Sequence, residues 1–245
     1  MSKLEFKDQI QRIKEKLSEA DSVTVLTGSG ISADSGIPTF RGNDGLWKSH
    51  RAEELATPEA FSRDPRLVWE WYDWRRGIIA TKVPNAGHFM VAELEKEFTR
   101  FHLITQNVDG LHEKGGSTNP IELHGNIWKV RCCQCHLVSF NFDVPIHILP
   151  TCNECGGLLR PHIIWFGEQL DDTDMEKSYA AVQHADLMFV IGTSGVVHPA
   201  ASLAGIAKRN GAFLVEINLQ ETPISHEMDI TLFGKAKDIL PYFFD

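Results

Sequence analysis

Four short apolar runs are set widely apart along the chain: Val23-Thr24-Val25-Leu26, Phe101 to Thr105, Leu187 to Ile191, and Phe213 to Ile217. Each is close to continuously apolar and rich in β-branched or aromatic residues, the pattern of a strand buried on both faces. Between the runs the period changes. From Glu5 to Ala20, Ile10, Ile13 and Leu17 recur at helical spacing, and helix-like segments flank the later runs. Strands alternating with helices predict an α/β fold built on a doubly wound parallel sheet.

Two stretches break the alternation. Val130 to Arg160 holds all five cysteines and reads as an inserted module, here bounded at 130–160. Arg41 to about Asn85, which contains Trp47, Trp69, Trp71 and Trp74, reads as a loop plus helices covering the sheet edge. The chain of 245 residues suits one large domain carrying such an insert. Met1 to Lys16 lacks the continuous apolar segment of a signal peptide, and no run approaches the ~18 apolar residues of a membrane span. A cytoplasmic location is expected, where cysteines serve as thiolate ligands or free thiols. The net charge of −9 argues against a nucleic-acid surface.

The first run feeds Gly28-Ser29-Gly30-Ile31-Ser32, a strand, glycine loop and helix start of the kind that holds a pyrophosphate. The fingerprint is incomplete, because Ala33 stands where a third glycine belongs and no acidic ribose ligand follows about 20 residues on. The polar, turn-rich continuation through Phe40 and Arg41 suits a loop over a ligand as well as an ordinary surface loop. Cys132-x2-Cys135 and Cys152-x2-Cys155 have the spacing of a four-thiolate zinc site, closed to water and therefore structural. Cys133 has no partner at the right spacing and reads as a bystander. Gln106-Asn107-Val108-Asp109 leaves the second strand where such sheets put active-site groups, although Asn107 and Asp109 also suit helix capping. Gly192-Thr193-Ser194 and Asn218 end the third and fourth strands, and His124 in Leu123-His124-Gly125 is one histidine among eleven.

Together Gly28 through Arg41, Gln106-Asn107-Val108-Asp109, Leu123-His124-Gly125, the paired Cys-x2-Cys and Gly192-Thr193-Ser194 resemble the sirtuin family of NAD-dependent protein deacylases. The resemblance implies a Rossmann-like domain, a zinc-ribbon insert, and an acyl-lysine peptide in the cleft between them. It implies His124 as general base, with Asn107 and Asp109 positioning the nicotinamide ribose. It makes Gly28, Ser29, Gly30, Phe40, Arg41, Gln106, Gly192, Thr193, Ser194, Asn218 and Ala236 contacts for NAD. Ser29 departs from the alanine usual there. The acyl group is expected to leave on ADP-ribose. Mono-ADP-ribosyl transfer, or NAD sensing by a zinc-ribbon adaptor, would use the same loops.

Trp69-Glu70-Trp71-Tyr72-Asp73-Trp74-Arg75 resembles the class III pattern, in which Tyr-x-x-Arg recognises acidic acyl groups such as succinyl and malonyl. Residues three apart share a helix face, so Tyr72 and Arg75 can converge on one carboxylate. Arg76 also lies within reach by spacing, and only the family pattern selects Arg75. Ile164, Trp165, Phe166 and Gly167 resemble the segment whose backbone pairs with the substrate peptide.

Overall fold

A computed structural model describes residues 6–38 and 51–244. Six parallel strands form the large sheet in the order β3-β2-β1-β7-β8-β9. The four predicted runs are β1 (Ser22–Thr27), β2 (Arg100–Thr105), β7 (Leu187–Ile191) and β8 (Phe213–Asn218). Their continuous apolarity has a direct cause: side chains alternate between two covered faces. Leu187, Phe189 and Ile191 of β7 join one core with Ile10 and Ile13 of α1 (Lys7–Glu19) and with Val91 and Leu94 of α6 (Ala86–Glu97). Met188 and Val190 join the other, against α8 (Asp172–Gln183) and α9 (Ser202–Arg209).

The edge strands β3 (Ile121–Glu122) and β9 (Ile230–Phe233) were not expected from the sequence. One has two residues and the other four, only partly buried, so neither carries a readable period. Chain order reverses at β1, with β2 on one side and β7 on the other. Loops leaving adjacent strands at such a switch point diverge and open a crevice at the carboxyl ends.

The insert is a three-stranded antiparallel sheet, β5-β4-β6, of β4 (Gly125–Cys132), β5 (Val138–Phe140) and β6 (Leu159–Ile163). It reaches a few residues beyond the expected 130–160 at each end. The tryptophan-rich stretch folds into α3 (Ala52–Leu55), α4 (Pro58–Arg63) and α5 (Pro65–Ala80). Those helices pack on the insert and not on the sheet edge. Trp69, Trp71, Tyr72 and Ile79 share a core with Ile127, Trp128, Val130, Ile163 and Trp165. The loop part of that stretch, residues 41–50, lies outside the described residues, and the apolar face of a helix does not record which apolar surface will cover it.

Arg76 fastens this small lobe. It is 1% exposed, and its guanidinium donates to the carbonyls of Ile127 (2.9 Å), Asn141 (2.5 Å) and Asp143 (3.1 Å) and to Asn141 Oδ1 (2.6 Å). It also lies 5.0 Å above the Trp128 ring.

Candidate active site

The glycine loop and the turn after β7 meet at the switch point. Gly28 N donates to Ile191 O (2.9 Å) and Gly30 N to Gly192 O (2.8 Å). Contact this close requires glycine: a Cβ on Gly30 would sit 2.6 Å from Gly192 Cα, and Gly192 itself holds φ +60°. Gln106 Nε2 donates to Thr193 Oγ1 (2.9 Å), and Asn218 Nδ2 donates to Thr193 O (2.7 Å). Side chains from the ends of β2 and β8 are thereby tied to the one turn, which runs on to Ser194. Ser29, half-buried, immediately precedes α2 (Gly30–Ala33). Ala236 is buried at the start of α10 (Ala236–Ile239), next to Lys235, whose Nζ reaches Asp34 Oδ1 at 2.7 Å. Phe40 and Arg41 lie outside the described residues.

Asn107 and Asp109 are buried at the foot of the crevice. Asn107 caps nothing; its Nδ2 donates to Gly28 O (3.1 Å) and Ser32 Oγ (3.3 Å), joining the end of β2 to the glycine loop. Asp109 has the capping contact weighed for it: Oδ1 accepts from Leu111 N (2.9 Å) at the start of α7 (Leu111–Lys114), and the Ser32 side chain also bears on the carboxylate. Burial raises its pKa, and those bonds oppose the rise.

His124 follows β3, half-buried, with Nδ1 3.0 Å from the Gln106 carbonyl. A carbonyl only accepts, so Nδ1 carries the proton and the neutral ring keeps Nε2 as a base. Burial lowers the His124 pKa, and the Gln106 bond works the other way.

Beneath these groups runs a polar network that the sequence reading missed. Asn85 N donates to His88 Nδ1 (3.2 Å), so His88 Nε2 carries the proton toward Ser32 Oγ (3.3 Å). His112 Nε2 meets Thr27 Oγ1 (3.0 Å), which donates to Thr105 Oγ1 (2.8 Å). Burial holds His88 down to about 4 and His112 well below the usual histidine value. No local signal marks these residues, since Ser32, His88 and His112 come together only through the fold.

Across the crevice, Tyr72 is buried and its hydroxyl accepts from Trp165 Nε1 at 2.8 Å. Burial pushes the phenol up to about 12. The Arg75 guanidinium lies 5.2 Å over the Trp71 ring; burial lowers its pKa, while the nearby Tyr72 and Asp109 oppose that. Arg76, which spacing also placed within reach, points into the insert instead. In the 164–167 segment the N–H groups of Ile164, Trp165 and Phe166 donate to His124 O, Glu168 Oε2 and Ala56 O. The Trp165 carbonyl accepts from Glu168 N (2.9 Å), and the segment turns at Gly167 (φ +88°).

The sulfurs of Cys132, Cys135, Cys152 and Cys155 all lie within 4.8 Å of one another, with pairs at 3.4 and 3.7 Å. Four thiolates about 2.3 Å from one zinc stand about 3.8 Å apart in a tetrahedron, so the set fits a single zinc ion. Cys133 is exposed and outside the cluster. Two surface hollows of about 350 and 300 Å³ lie at the opposite, amino ends of the strands, lined by residues such as Lys16, Asp186 and Lys208 or Glu95, Phe98 and Thr118. They are remote from the chemistry described here.

The Sir2 family model matches residues 28–199. The chain belongs to the Sir2 family. Among Sir2 relatives, the NAD-dependent protein deacylase of Aquifex aeolicus is 53% identical over 225 residues, covering 91% of this chain and 94% of the relative. NAD-dependent protein deacylase 1 of Caldanaerobacter subterraneus subsp. tengcongensis is 55% identical over 216 residues, covering 88% and 89%. A Sir2 homolog solved with NAD superimposes with TM-score 0.90 at 46% identity, covering 95% of this chain and 91% of that one. A Sir2 variant with a deacetylated p53 peptide and 3′-O-acetyl ADP ribose superimposes with TM-score 0.85 at 32% identity, covering 95% and 96%. No helix among the described residues of this Sir2 protein is long and apolar enough to cross a membrane.

Proposed function

We propose that this chain is an NAD-dependent protein lysine deacylase that moves the acyl group from lysine to ADP-ribose and takes succinyl and malonyl groups as well as acetyl. The names of its relatives and the NAD-bound and peptide-bound Sir2 structures support the coarser part. One observation in the site carries it. His124 Nδ1–H donates a hydrogen bond to the Gln106 carbonyl, which leaves Nε2 unprotonated, next to the strand end that bears Asn107 and Asp109.

When bound, NAD would supply a ribose carbon at which the acyl amide oxygen displaces nicotinamide. His124 Nε2 accepts a ribose hydroxyl proton, and Asn107 and Asp109 orient that ribose. Gly28, Ser29, Gly30, Gln106, Gly192, Thr193, Ser194, Asn218 and Ala236, with Phe40 and Arg41, hold the rest of the dinucleotide. Because burial lowers the His124 pKa, the base form persists below the ordinary histidine titration range.

The acidic-acyl reading rests on Tyr72 and Arg75, three apart on α5, where the phenol hydroxyl and the guanidinium can both meet one acyl carboxylate. The peptide backbone would run along Ile164, Trp165, Phe166 and Gly167. The test is a competition assay with NAD and equal acetyl-, malonyl- and succinyl-lysine peptides, followed by mass spectrometry of peptides and nucleotides. Acidic acyl groups should appear on ADP-ribose, and Arg75→Met should cut succinyl turnover about ten- to a hundredfold more than acetyl, the worth of one charge-assisted hydrogen bond. Equal losses refute the acyl assignment; no NAD-dependent acyl loss at all refutes deacylation.

A further inference from the structure

Trp165 is held from several sides. Its indole is 2% exposed and lies between the Arg160 guanidinium, 3.5 Å from the ring centroid, and the Phe61 ring at 5.2 Å. Arg160 is itself clamped by Glu168, with NH1 to Oε1 at 2.6 Å and NH2 to Oε2 at 2.9 Å, and the same Oε2 accepts from Trp165 N at 2.8 Å. The one polar atom of the indole points at the Tyr72 hydroxyl. A buried indole that spends its only donor on Tyr72 has a use beyond filling space.

An indole N–H can only donate, so the Tyr72 oxygen must accept from it. The phenol proton is thereby directed away from Trp165 and left to donate elsewhere. Donation into a hydroxyl oxygen also strengthens that hydroxyl as a donor, because successive hydrogen bonds polarise one another. We infer that Trp165, braced by the Arg160–Glu168 pair, is a positioning residue for acyl specificity: it orients the Tyr72 hydroxyl so that its proton meets the carboxylate of a dicarboxylic acyl-lysine. This rests on the acidic-acyl reading given above. It adds to that reading a residue that acts through Tyr72 and a side-chain chain running Glu168, Arg160, Trp165, Tyr72.

The test is a double-mutant cycle of wild type, Trp165→Phe, Tyr72→Phe and the double variant, with kcat and KM measured on matched succinyl- and acetyl-lysine peptides. Phenylalanine keeps an aromatic face for Arg160 and Phe61 but has no N–H. Trp165→Phe should lower the succinyl-to-acetyl ratio of kcat/KM by between about twofold and tenfold, the range of one neutral hydrogen bond, mainly through KM for the succinyl peptide. In the Tyr72→Phe background the same change should move the ratio by much less, since the coupling is gone. General damage from altered packing falls on both substrates and cancels in the ratio. An unchanged ratio in Trp165→Phe, or the same fold-change in both backgrounds, overturns the inference while leaving the acidic-acyl reading intact. An unchanged ratio in Tyr72→Phe overturns that reading and the inference together. If Trp165→Phe does not fold, Arg160→Lys loosens the brace with the indole in place: a smaller fall in the ratio, absent without the Tyr72 hydroxyl, is expected, and no fall refutes the proposal.

Discussion

Replacing Arg76 with methionine should detach the small lobe from α5 while leaving the cofactor crevice intact. The guanidinium is 1% exposed and makes four hydrogen bonds, three to backbone carbonyls at residues 127, 141 and 143 and one to the Asn141 side chain. The charge is held at a cost: burial lowers its pKa to about 10, against the pull of Asp143 and Asp73. It still carries its proton at neutral pH. Methionine keeps the apolar stem but leaves those acceptors buried without donors, each worth roughly 1–3 kcal/mol. Part of that loss is returned because the desolvated cation is gone too, so a net destabilisation of about 3–5 kcal/mol is expected. Trp69, Trp71, Trp128 and Trp165 all sit in the lobe's core, so tryptophan fluorescence in a urea titration reports the transition directly. At a slope of about 2 kcal/mol/M the midpoint should fall by roughly 1.5–2.5 M. A loss below about 1 kcal/mol would refute the clamp. Arg75→Met is the paired control. Arg75 is half-buried over the Trp71 ring, so methionine there should cost less stability than at Arg76. The two neighbouring arginines should thus separate, one governing lobe stability and the other acyl choice.

His88 predicts an acid limit. Its folded pKa of about 4 lies below the unfolded value of about 6.5, so its contribution is full above about pH 6.5 and is lost as pH falls toward 4, up to roughly 3 kcal/mol. His112, shifted in the same direction, adds to the effect. Melting temperature between pH 7.5 and 4.5 should fall less in His88→Gln than in wild type; parallel slopes would contradict this. Zinc should be present at one ion per chain by elemental analysis, and Cys132→Ala should lose it together with the fold of the insert; an insert that keeps its structure without metal refutes the four-thiolate site. Gly30→Ala places a Cβ 2.6 Å from Gly192 Cα, a clash of a side-chain carbon with unyielding backbone, and should weaken NAD binding at least about tenfold by calorimetry. Unaltered affinity would show that the loop contact does not shape the cofactor site.

The sequence by itself determined the elements whose physics is local. Strands buried on two faces must be apolar throughout, so β1, β2, β7 and β8 were legible as runs, and two Cys-x2-Cys pairs at that spacing already name a four-thiolate site. The candidate site was legible as separate strand-end motifs, and it was the order of those motifs, not any one of them, that drew out His124. Tertiary structure decided the rest. The edge strands β3 and β9 exist because β2 and β8 offer unpaired backbone, which leaves no period in so few residues. Spacing along α5 allows Arg75 and Arg76 equally; a rotation of about 100° per residue sends one toward Tyr72 and Asp109 and the other into the carbonyls of the insert. The tryptophan helices found their partner in the insert because apolar attraction has no direction of its own and geometry chooses the surface. Ser32, His88 and His112, far apart in the chain, became one buried network only when the sheet brought them together, and a hydrogen bond depends on that proximity in space, which the order of residues does not encode.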